Sequence, residues 1–468
     1  MKKYLVNLEG IGIPKYKKIA IHIKKLIDEN KIKDGEKLPP IRKLAEELNV
    51  NNVTIVNAYN KLESEGYAVQ KIGSGTYAKR KEVAINFKKK YSNVVRRISS
   101  EKLRNYIDFS GEAASSELFS VSSFKEVINK VLDRDGTEAL VYQEALGYEG
   151  LRESIDKYFW RNSVDSDNIL IVSGAQQGID IVSKALINVN DNVVVEKPTY
   201  GGALTVFKWR RANVVEIELQ EDGMDLDELE KVLKKNKIKC VYIMSYFQNP
   251  TGISYSSIKK RRLLNMAEIY DFYIIEDDYL SELIYNGDEY VSFKSMDTND
   301  RVIYIKSFSK IFLPGIRLGY LISPHDFKEN IQNSKVNTDI ATSSLMQRVL
   351  DMYIKDGMWK GHIKKLNEIY RERYEFFRNA LEALEEYVDF ILPGGGLHFY
   401  VKIKEGLIDS MELFYQCEKD GVLITPGIIF YKNPKEGKEY FRLSFSQTDL
   451  YSIEKGLGII KNIFKQCK

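Results

Sequence analysis

Residues 307–320 gather a lysine, two serine hydroxyls and an arginine into one turn-rich segment, Ser307-Phe308-Ser309-Lys310 followed by Pro314-Gly315-Ile316-Arg317-Leu318-Gly319-Tyr320. An amine forms a Schiff base with a carbonyl only when unprotonated, so a catalytic lysine must sit where burial or neighbouring charge lowers its pKa. Lys310 is the candidate. Arg317, seven positions on, offers a planar fork suited to phosphate oxygens, and Ser307 can donate from the other side of the loop. Gly315 and Gly319 let the backbone approach closely. Together these residue types suit an aldehyde cofactor that carries a phosphate. In isolation, Ser-x-Ser-Lys reads more simply as a solvated surface lysine, so the assignment depends on partners elsewhere.

Those partners stand upstream, each at the end of an apolar run that predicts a strand. Residues 274–280, Ile-Ile-Glu-Asp-Asp-Tyr-Leu, put Asp277 at the carboxyl edge, where open α/β sheets place ligands. A carboxylate there can keep a pyridine nitrogen protonated and make the ring an electron sink; in isolation, Asp277 and Asp278 are turn acids. Cys240-Val241-Tyr242-Ile243-Met244 runs into Gln248-Asn249-Pro250-Thr251-Gly252. Asn249 and Tyr279 could each hydrogen-bond a phenolic oxygen beside the Schiff base. Ile169-Leu170-Ile171-Val172 leads into Ser173-Gly174-Ala175-Gln176-Gln177-Gly178 and an apolar-periodic helix. That loop aims backbone donors and a helix dipole at an anion, or is an ordinary strand-to-helix turn.

Taken jointly, these segments resemble the pyridoxal-phosphate enzymes of aminotransferase type with the type I fold, over about residues 106–468. The resemblance implies that Lys310 carries pyridoxal 5'-phosphate as an internal aldimine, that Asp277 pairs with the pyridine nitrogen, and that Asn249 and Tyr279 contact the ring oxygen. It implies a phosphate held by Ala175, Gln176, Ser307 and Arg317. Tyr200, in Lys197-Pro198-Thr199-Tyr200-Gly201, matches the aromatic that stacks on the ring. Tyr142 matches the tyrosine that reaches the phosphate of a neighbouring subunit, which implies a homodimer. Arg442, in Phe441-Arg442-Leu443-Ser444-Phe445-Ser446, matches the arginine that clamps an amino acid's α-carboxylate, with Asn249 beside it at the substrate. One departure stands out: Glu112-Ala113-Ala114 follows Ile107-Asp108-Phe109-Ser110-Gly111 where a proline usually follows.

The front of the chain has a different character. Residues 1–80 hold 16 Lys+Arg against 9 Asp+Glu and residues 81–105 hold 8 against 2, which, with a whole-chain charge of +4, leaves −9 for the remainder. Such asymmetry suits a polyanion partner, or simply a soluble surface. Ile19, Ile23, Leu26 and Ile27 recur at helical spacing. After Pro39-Pro40 a short helix carries Leu44, Ala45 and Leu48, and beyond a turn at residues 49–51 a second carries Ile55, Ala58, Tyr59 and Leu62. This is a helix-turn-helix, whose second helix enters the major groove of double-stranded DNA. Residues 66–71 and 76–78 predict two strands of a β-wing around Gly73-Ser74-Gly75. Residues 11–78 resemble the winged-helix domain of GntR-type repressors, which implies DNA contacts from Arg42, Asn51, Asn52, Thr54, Gly73 and Gly75. Here too the chain departs from the pattern, with Asn51-Asn52 where serine and arginine are usual.

The expected organisation is therefore multidomain. Residues 1–78 form a mostly α winged helix with a β-wing, 79–105 a flexible basic linker, and 106–468 an α/β aminotransferase-like domain with a smaller α+β C-terminal subdomain. The joined arrangement resembles the MocR group, a GntR-type reader fused to an aminotransferase-like sensor. Absence of a membrane-length apolar run or a signal-type N-terminus predicts a cytoplasmic location without membrane contact. Three cysteines and four histidines, unclustered, predict no disulfide framework and no metal site. His398, after Gly394-Gly395-Gly396-Leu397, could line the substrate side or pack within a strand. Two functions stay open: a transcription regulator that senses pyridoxal phosphate, an amine or an amino acid through an aldimine, and a working aminotransferase that carries a DNA-binding domain.

Overall fold

The structure, a computed structural model, describes residues 2–6, 8, 14–28, 31–33, 35–64, 67–71, 75–78, 91, 106–112, 114–142, 144–287 and 289–467. Gly73, Ala113 and, apart from Tyr91, the basic linker lie outside the described residues. The chain divides into two compact units, Met1–Arg104 and Asn105–Lys468.

Among the described residues of the first unit, apolar residues at helical spacing build α1 (Lys15–Asp28), α2 (Ile41–Glu47) and α3 (Asn52–Ser64). Ile19, Ile23 and Ile27 of α1 meet Leu44 of α2 and Ile55, Ala58 and Leu62 of α3 in one core. Proline at residue 40 cannot continue a helix from before it and immediately precedes α2. Asn51 Oδ1 accepts a hydrogen bond from the Val53 amide at 3.0 Å, which satisfies an otherwise orphaned donor at the start of α3. The buried Tyr59 hydroxyl donates to the Pro39 carbonyl at 2.7 Å and ties α3 to the entry of α2. Strands β1 (Ala68–Lys71) and β2 (Gly75–Ala78) pair antiparallel as the wing. Arg42, Asn51, Asn52 and Gly75 are exposed and Thr54 is half-buried.

The second unit begins with β3 (Ile107–Asp108) and is organised by an eight-stranded sheet. Its strands are β4 (Ile169–Val172), β5 (Asn192–Lys197), β6 (Asn213–Gln220), β7 (Gly223–Met224), β8 (Ile238–Ile243), β9 (Tyr273–Asp278), β10 (Val302–Ser307) and β11 (Gly319–Ile322), in the order β4-β11-β10-β9-β8-β5-β6-β7. Five neighbours from β10 to β6 run parallel, while β11 is antiparallel to both β10 and β4. The parallel strands read as nearly unbroken apolar runs because helices cover both faces of such sheets. A smaller antiparallel sheet follows, formed by β12 (Val388–Phe390), β13 (His398–Ile403), β15 (Thr425–Pro426) and β16 (Tyr440–Ser444) in the order β12-β13-β16-β15. Between them in sequence, β14 (Val422–Leu423) pairs in parallel with β3 and so ties the unit's first strand to its C-terminal part. Among the described residues, no helix is long and apolar enough to cross a membrane.

Close backbone packing controls the sheet where the site forms. Gly319 pairs with Ser307 on one side and Val172 on the other. A Cβ there would lie 2.5 Å from the Lys306 carbonyl oxygen and 3.2 Å from Gly174 Cα. Gly319→Ala is accordingly expected to destabilise the large unit by about 1–3 kcal/mol. Denaturant unfolding checks this, and an unchanged midpoint would contradict the close approach of these strands.

Candidate active site

The parallel strands end on one edge, and a cavity of about 200 Å³ opens there. Asp277, near the end of β9, is buried, and burial pushes its carboxyl up to about 7. Tyr242 of β8 donates to Asp277 Oδ2 at 2.6 Å, whereas Oδ1 is buried without a hydrogen-bond partner. Asp277 is therefore held in one orientation with a spare acceptor beside the cavity. Asn249, in the loop after β8, lines the same cavity and is oriented on both sides: its Nδ2 donates to Glu112 Oε2 at 3.1 Å and its Oδ1 accepts from Arg442 Nη1 at 2.8 Å. The Tyr279 hydroxyl also reaches this lining and donates to the Phe247 carbonyl at 2.8 Å.

On the other side, the turn from β4 opens the helix Ala175–Leu186, and no side chain caps its N-terminus. That leaves backbone donors and the positive end of the helix dipole directed at the region lined by Ala175 and Gln176. Gly174, with φ +91°, makes the turn, and a Cβ on it would lie 2.9 Å from Arg317 Nη2. Glycine is thus required there by both conformation and space. Arg317 itself takes a left-handed conformation, with φ 51°. Its Nη2 donates to the Ser173 carbonyl at 2.7 Å and its Nη1 to Ser309 Oγ at 3.4 Å, which brings the guanidinium alongside the helix N-terminus. The Tyr200 hydroxyl donates to Gln176 Oε1 at 3.1 Å.

Lys310, half-buried, lines the cavity together with Ser307 and Ser309. Withdrawal from water lowers its pKa; Glu112 opposes that shift, and Arg442 and Arg317 reinforce it. An amine so placed gives up its proton more readily than a surface lysine.

Most residues singled out in the sequence for the cofactor converge here: Ala175, Gln176, Tyr200, Asn249, Asp277, Tyr279, Ser307, Lys310 and Arg317 share one cavity. Tyr142 does not line it; its side chain is 80% exposed. Arg442 lies behind the lining, engaged by Asn249 and, at 2.9 Å, by Glu112 Oε1. Sequence reasoning left four contributors without a role. Ser309 is adjacent to Lys310 and supports Arg317. Tyr242 was visible only as an apolar strand residue, and Met244 lines the cavity from the end of the same run. Glu112 was noted only as a departure from pattern, yet it lies 3.8 Å from Lys310 Nζ and 3.0 Å from His398 Nδ1. His398 is buried at the start of β13, so it is both a strand residue and a neighbour of the site.

The residues present suit pyridoxal phosphate on three independent grounds. The unpartnered Oδ1 of Asp277 can accept from a protonated ring nitrogen, the uncapped helix N-terminus with Arg317 can receive a phosphate, and Lys310 offers an amine with a lowered pKa.

Titration of Asp277 gives a test without any ligand. Its native pKa, about 7, lies above the ordinary 3.8, so the native state holds the proton more tightly. The associated stability is complete below the unfolded value and is lost as pH rises through about 7. In cofactor-free protein, Asp277→Asn is expected to escape this loss, worth a few kcal/mol, so its melting temperature should gain on the wild type as pH increases. Parallel melting curves for the two proteins over that range would rule out a titrating buried Asp277.

Residues 113–460 match the aminotransferase class I and II family, and residues 15–78 match the bacterial regulatory proteins of the gntR family. The chain is 31% identical over 369 residues to aromatic-amino-acid aminotransferase 1 of Thermococcus litoralis, covering 77% of this chain and 88% of that protein. It is 30% identical over 465 residues to the uncharacterized HTH-type transcriptional regulator YdfD of Bacillus subtilis, covering 95% of each. Among solved structures, Pyrococcus horikoshii kynurenine aminotransferase superposes with a TM-score of 0.76 at 30% identity, over 81% of this chain and 94% of that one. The aminotransferase-like match accounts for the large unit and the full-length match for its attachment to a DNA-binding front: the chain belongs to the MocR-type regulators, with a GntR-type helix-turn-helix domain joined to an aminotransferase class I and II domain.

Proposed function

We propose that this protein is a cytoplasmic, dimeric transcription regulator whose aminotransferase-like domain binds pyridoxal phosphate at Lys310 and responds to an amine or amino acid there. The observation that carries the proposal is the convergence of the Lys310 amine, the spare Asp277 oxygen and the Arg317-flanked helix N-terminus on one cavity, in a chain that also contains a GntR-type DNA-binding domain. When bound, the cofactor supplies an aldehyde that condenses with amines and a ring that withdraws electrons from them.

In this reading each residue has a physical task. Arg317, Ser307 and the backbone at Ala175 and Gln176 bind the phosphate, with Ser309 steadying Arg317. Asp277, held by Tyr242, keeps the ring nitrogen protonated. Asn249 and Tyr279 contact the ring oxygen, and Tyr200 covers the ring face. Lys310 is the amine that forms the covalent link and the base placed to move a proton at the carbon that bears the ligand's nitrogen. Tyr142, highly exposed beside exposed Leu140 and Val141, is available to a second copy of the chain, as dimer formation requires. The domain boundaries proposed are residues 1–78 for the DNA reader, 79–105 for a linker and 106–468 for the sensor.

At the DNA, Arg42 supplies charge to phosphates, and Gly75 of the wing, with Gly73 as a further proposed contact, lets the backbone approach closely. Asn52, Val53, Val56 and Asn57 are exposed on the first two turns of α3, with Asn51 and Thr54 beside them. Amides suit adenine edges and valine methyls suit thymine methyl groups.

A binding assay across a salt series tests the reader. Arg42→Ala is expected to weaken promoter binding and to reduce the slope of log affinity against log salt by about 1. Identical, salt-independent binding by both proteins would defeat the assignment. For the sensor, Lys310→Ala is expected to retain DNA binding while losing the covalent cofactor adduct, seen as loss of its visible absorbance and of the corresponding mass increment after borohydride reduction. An unchanged adduct in that variant would refute Lys310. Release of an oxo acid from an added amino acid by the wild type would make the domain a working transaminase as well.

A further inference from the structure

The arginine expected to grip a ligand's carboxylate is already gripping one of the protein's own. Arg442 is buried on β16; its Nη1 donates to Asn249 Oδ1 at 2.8 Å and lies 2.9 Å from Glu112 Oε1, and its Nη2 donates to the Ser110 carbonyl at 2.9 Å and to Thr425 Oγ1 at 3.4 Å. Only Nε is without a partner. No pair of parallel N–H groups is left open for an incoming carboxylate, which is the arrangement that makes an arginine clamp selective.

Glu112 is built into this position. It is buried, accepts from Asn249 Nδ2 at 3.1 Å, and lies 3.0 Å from His398 Nδ1 and 3.8 Å from Lys310 Nζ. The contact with Arg442 is close but off the direction of a hydrogen bond, so it acts chiefly through charge. The backbone on either side is fastened. The Gly111 carbonyl accepts from Ser446 Oγ at 3.1 Å, and the Ala114 amide donates to the carbonyl of Lys310 itself at 3.0 Å. Burial alone would raise the Glu112 pKa, but Arg442, His398 and Lys310 together hold its carboxyl below the usual range.

We infer that Glu112 occupies the place of a ligand carboxylate on Arg442, so that the site selects primary amines with no carboxylate on the nitrogen-bearing carbon over α-amino acids. This rests on the proposed binding of pyridoxal phosphate and an amine at Lys310. An α-carboxylate entering beside Lys310 meets the negative Glu112 first. To reach Arg442 it must expel that side chain and leave a buried carboxylate without its main counter-charge. An amine without the carboxylate displaces nothing.

The test is a visible-absorbance titration of the cofactor-loaded full chain with matched probes that differ only by the carboxylate: L-leucine and isopentylamine, L-phenylalanine and phenethylamine, L-lysine and cadaverine. Wild-type protein is expected to half-saturate at a concentration at least about tenfold lower for the amine that it responds to than for the matching amino acid. Glu112→Gln, which keeps the shape and removes the charge, is expected to shrink or reverse that ratio by about tenfold. Equal or tighter binding of the amino acids by the wild type, no response to any pair, or an unchanged ratio in Glu112→Gln would overturn the inference. If Glu112→Gln does not fold, Glu112→Ser is expected to move the ratio the same way, and the wild-type ratio stands as evidence by itself. Failure to develop a Lys310-dependent absorbance band at all would defeat the cofactor proposal and this inference with it, whereas a normal band with the wrong ratio defeats only the role given to Glu112.

Discussion

Parallel pairing of β8, β9 and β10 is the constraint from which the site follows. The register sets Asp277 of β9 opposite Ile305 of β10 and Glu276 opposite Ile243 of β8. Each chain therefore leaves its strand over the same edge of the sheet, and the polar residues just after the apolar runs collect there without further design. Asn249 follows β8, Asp277 and Tyr279 stand at the end of β9, and Ser307 ends β10 with Lys310 just beyond it. The reversed strand β11 completes the arrangement. By running antiparallel between β10 and β4, it returns Arg317, just before its start, to the edge where β4 ends and the helix Ala175–Leu186 begins.

Charge then differentiates residues that the topology only brings close. Asp277 and Glu112 are both buried carboxyls on one cavity, but their environments push them in opposite directions. Asp277 is pushed up to about 7 by burial, which the hydrogen bond from the neutral Tyr242 hydroxyl at 2.6 Å only partly offsets. Glu112 is surrounded by Arg442, His398 and Lys310 and stays charged. Two carboxyls with divergent titration can do different work in one cavity. One can meet a protonated ring, and the other offsets the positive charge that would otherwise accumulate between Lys310 and Arg442.

The strands that carry the site and the helix-turn-helix were legible because their signals are local, whereas the small C-terminal subdomain was expected only from chain length and the family resemblance. Ile169–Val172 is a strand of four buried apolar residues followed at once by the phosphate-type turn. Ile55, Ala58, Tyr59 and Leu62 keep helical spacing through α3 and are all buried. Asp277, Lys310 and Arg317 were legible because each stands at a fixed place relative to such a run. Glu112 and Tyr242 were not. Their importance comes from partners more than thirty residues away, Tyr242 with Asp277 and Glu112 with Asn249, Lys310, His398 and Arg442, and no periodicity records a long-range ion pair. Asn51 shows a subtler limit. Its place at the start of the recognition helix was evident, but the use of its side-chain oxygen as the helix cap depends on local backbone geometry that the residue type only permits.

A ligand in the large unit can alter DNA affinity only by the difference in its affinity for two conformations of the protein. The segment that bears Glu112 is a natural place for such a difference to arise. It follows β3 directly, and β3 is the first strand after residues 79–105, the stretch of chain that leads back to the winged helix. The same segment is fastened to the Lys310 backbone through Ala114 and to Ser446 through Gly111. Moving Glu112 off Arg442 therefore strains contacts at the point where the large unit's chain begins, while a ligand that leaves Glu112 in place keeps those contacts intact. Carboxylated and uncarboxylated amines would differ in what they demand of this entry segment, not only in how tightly they bind.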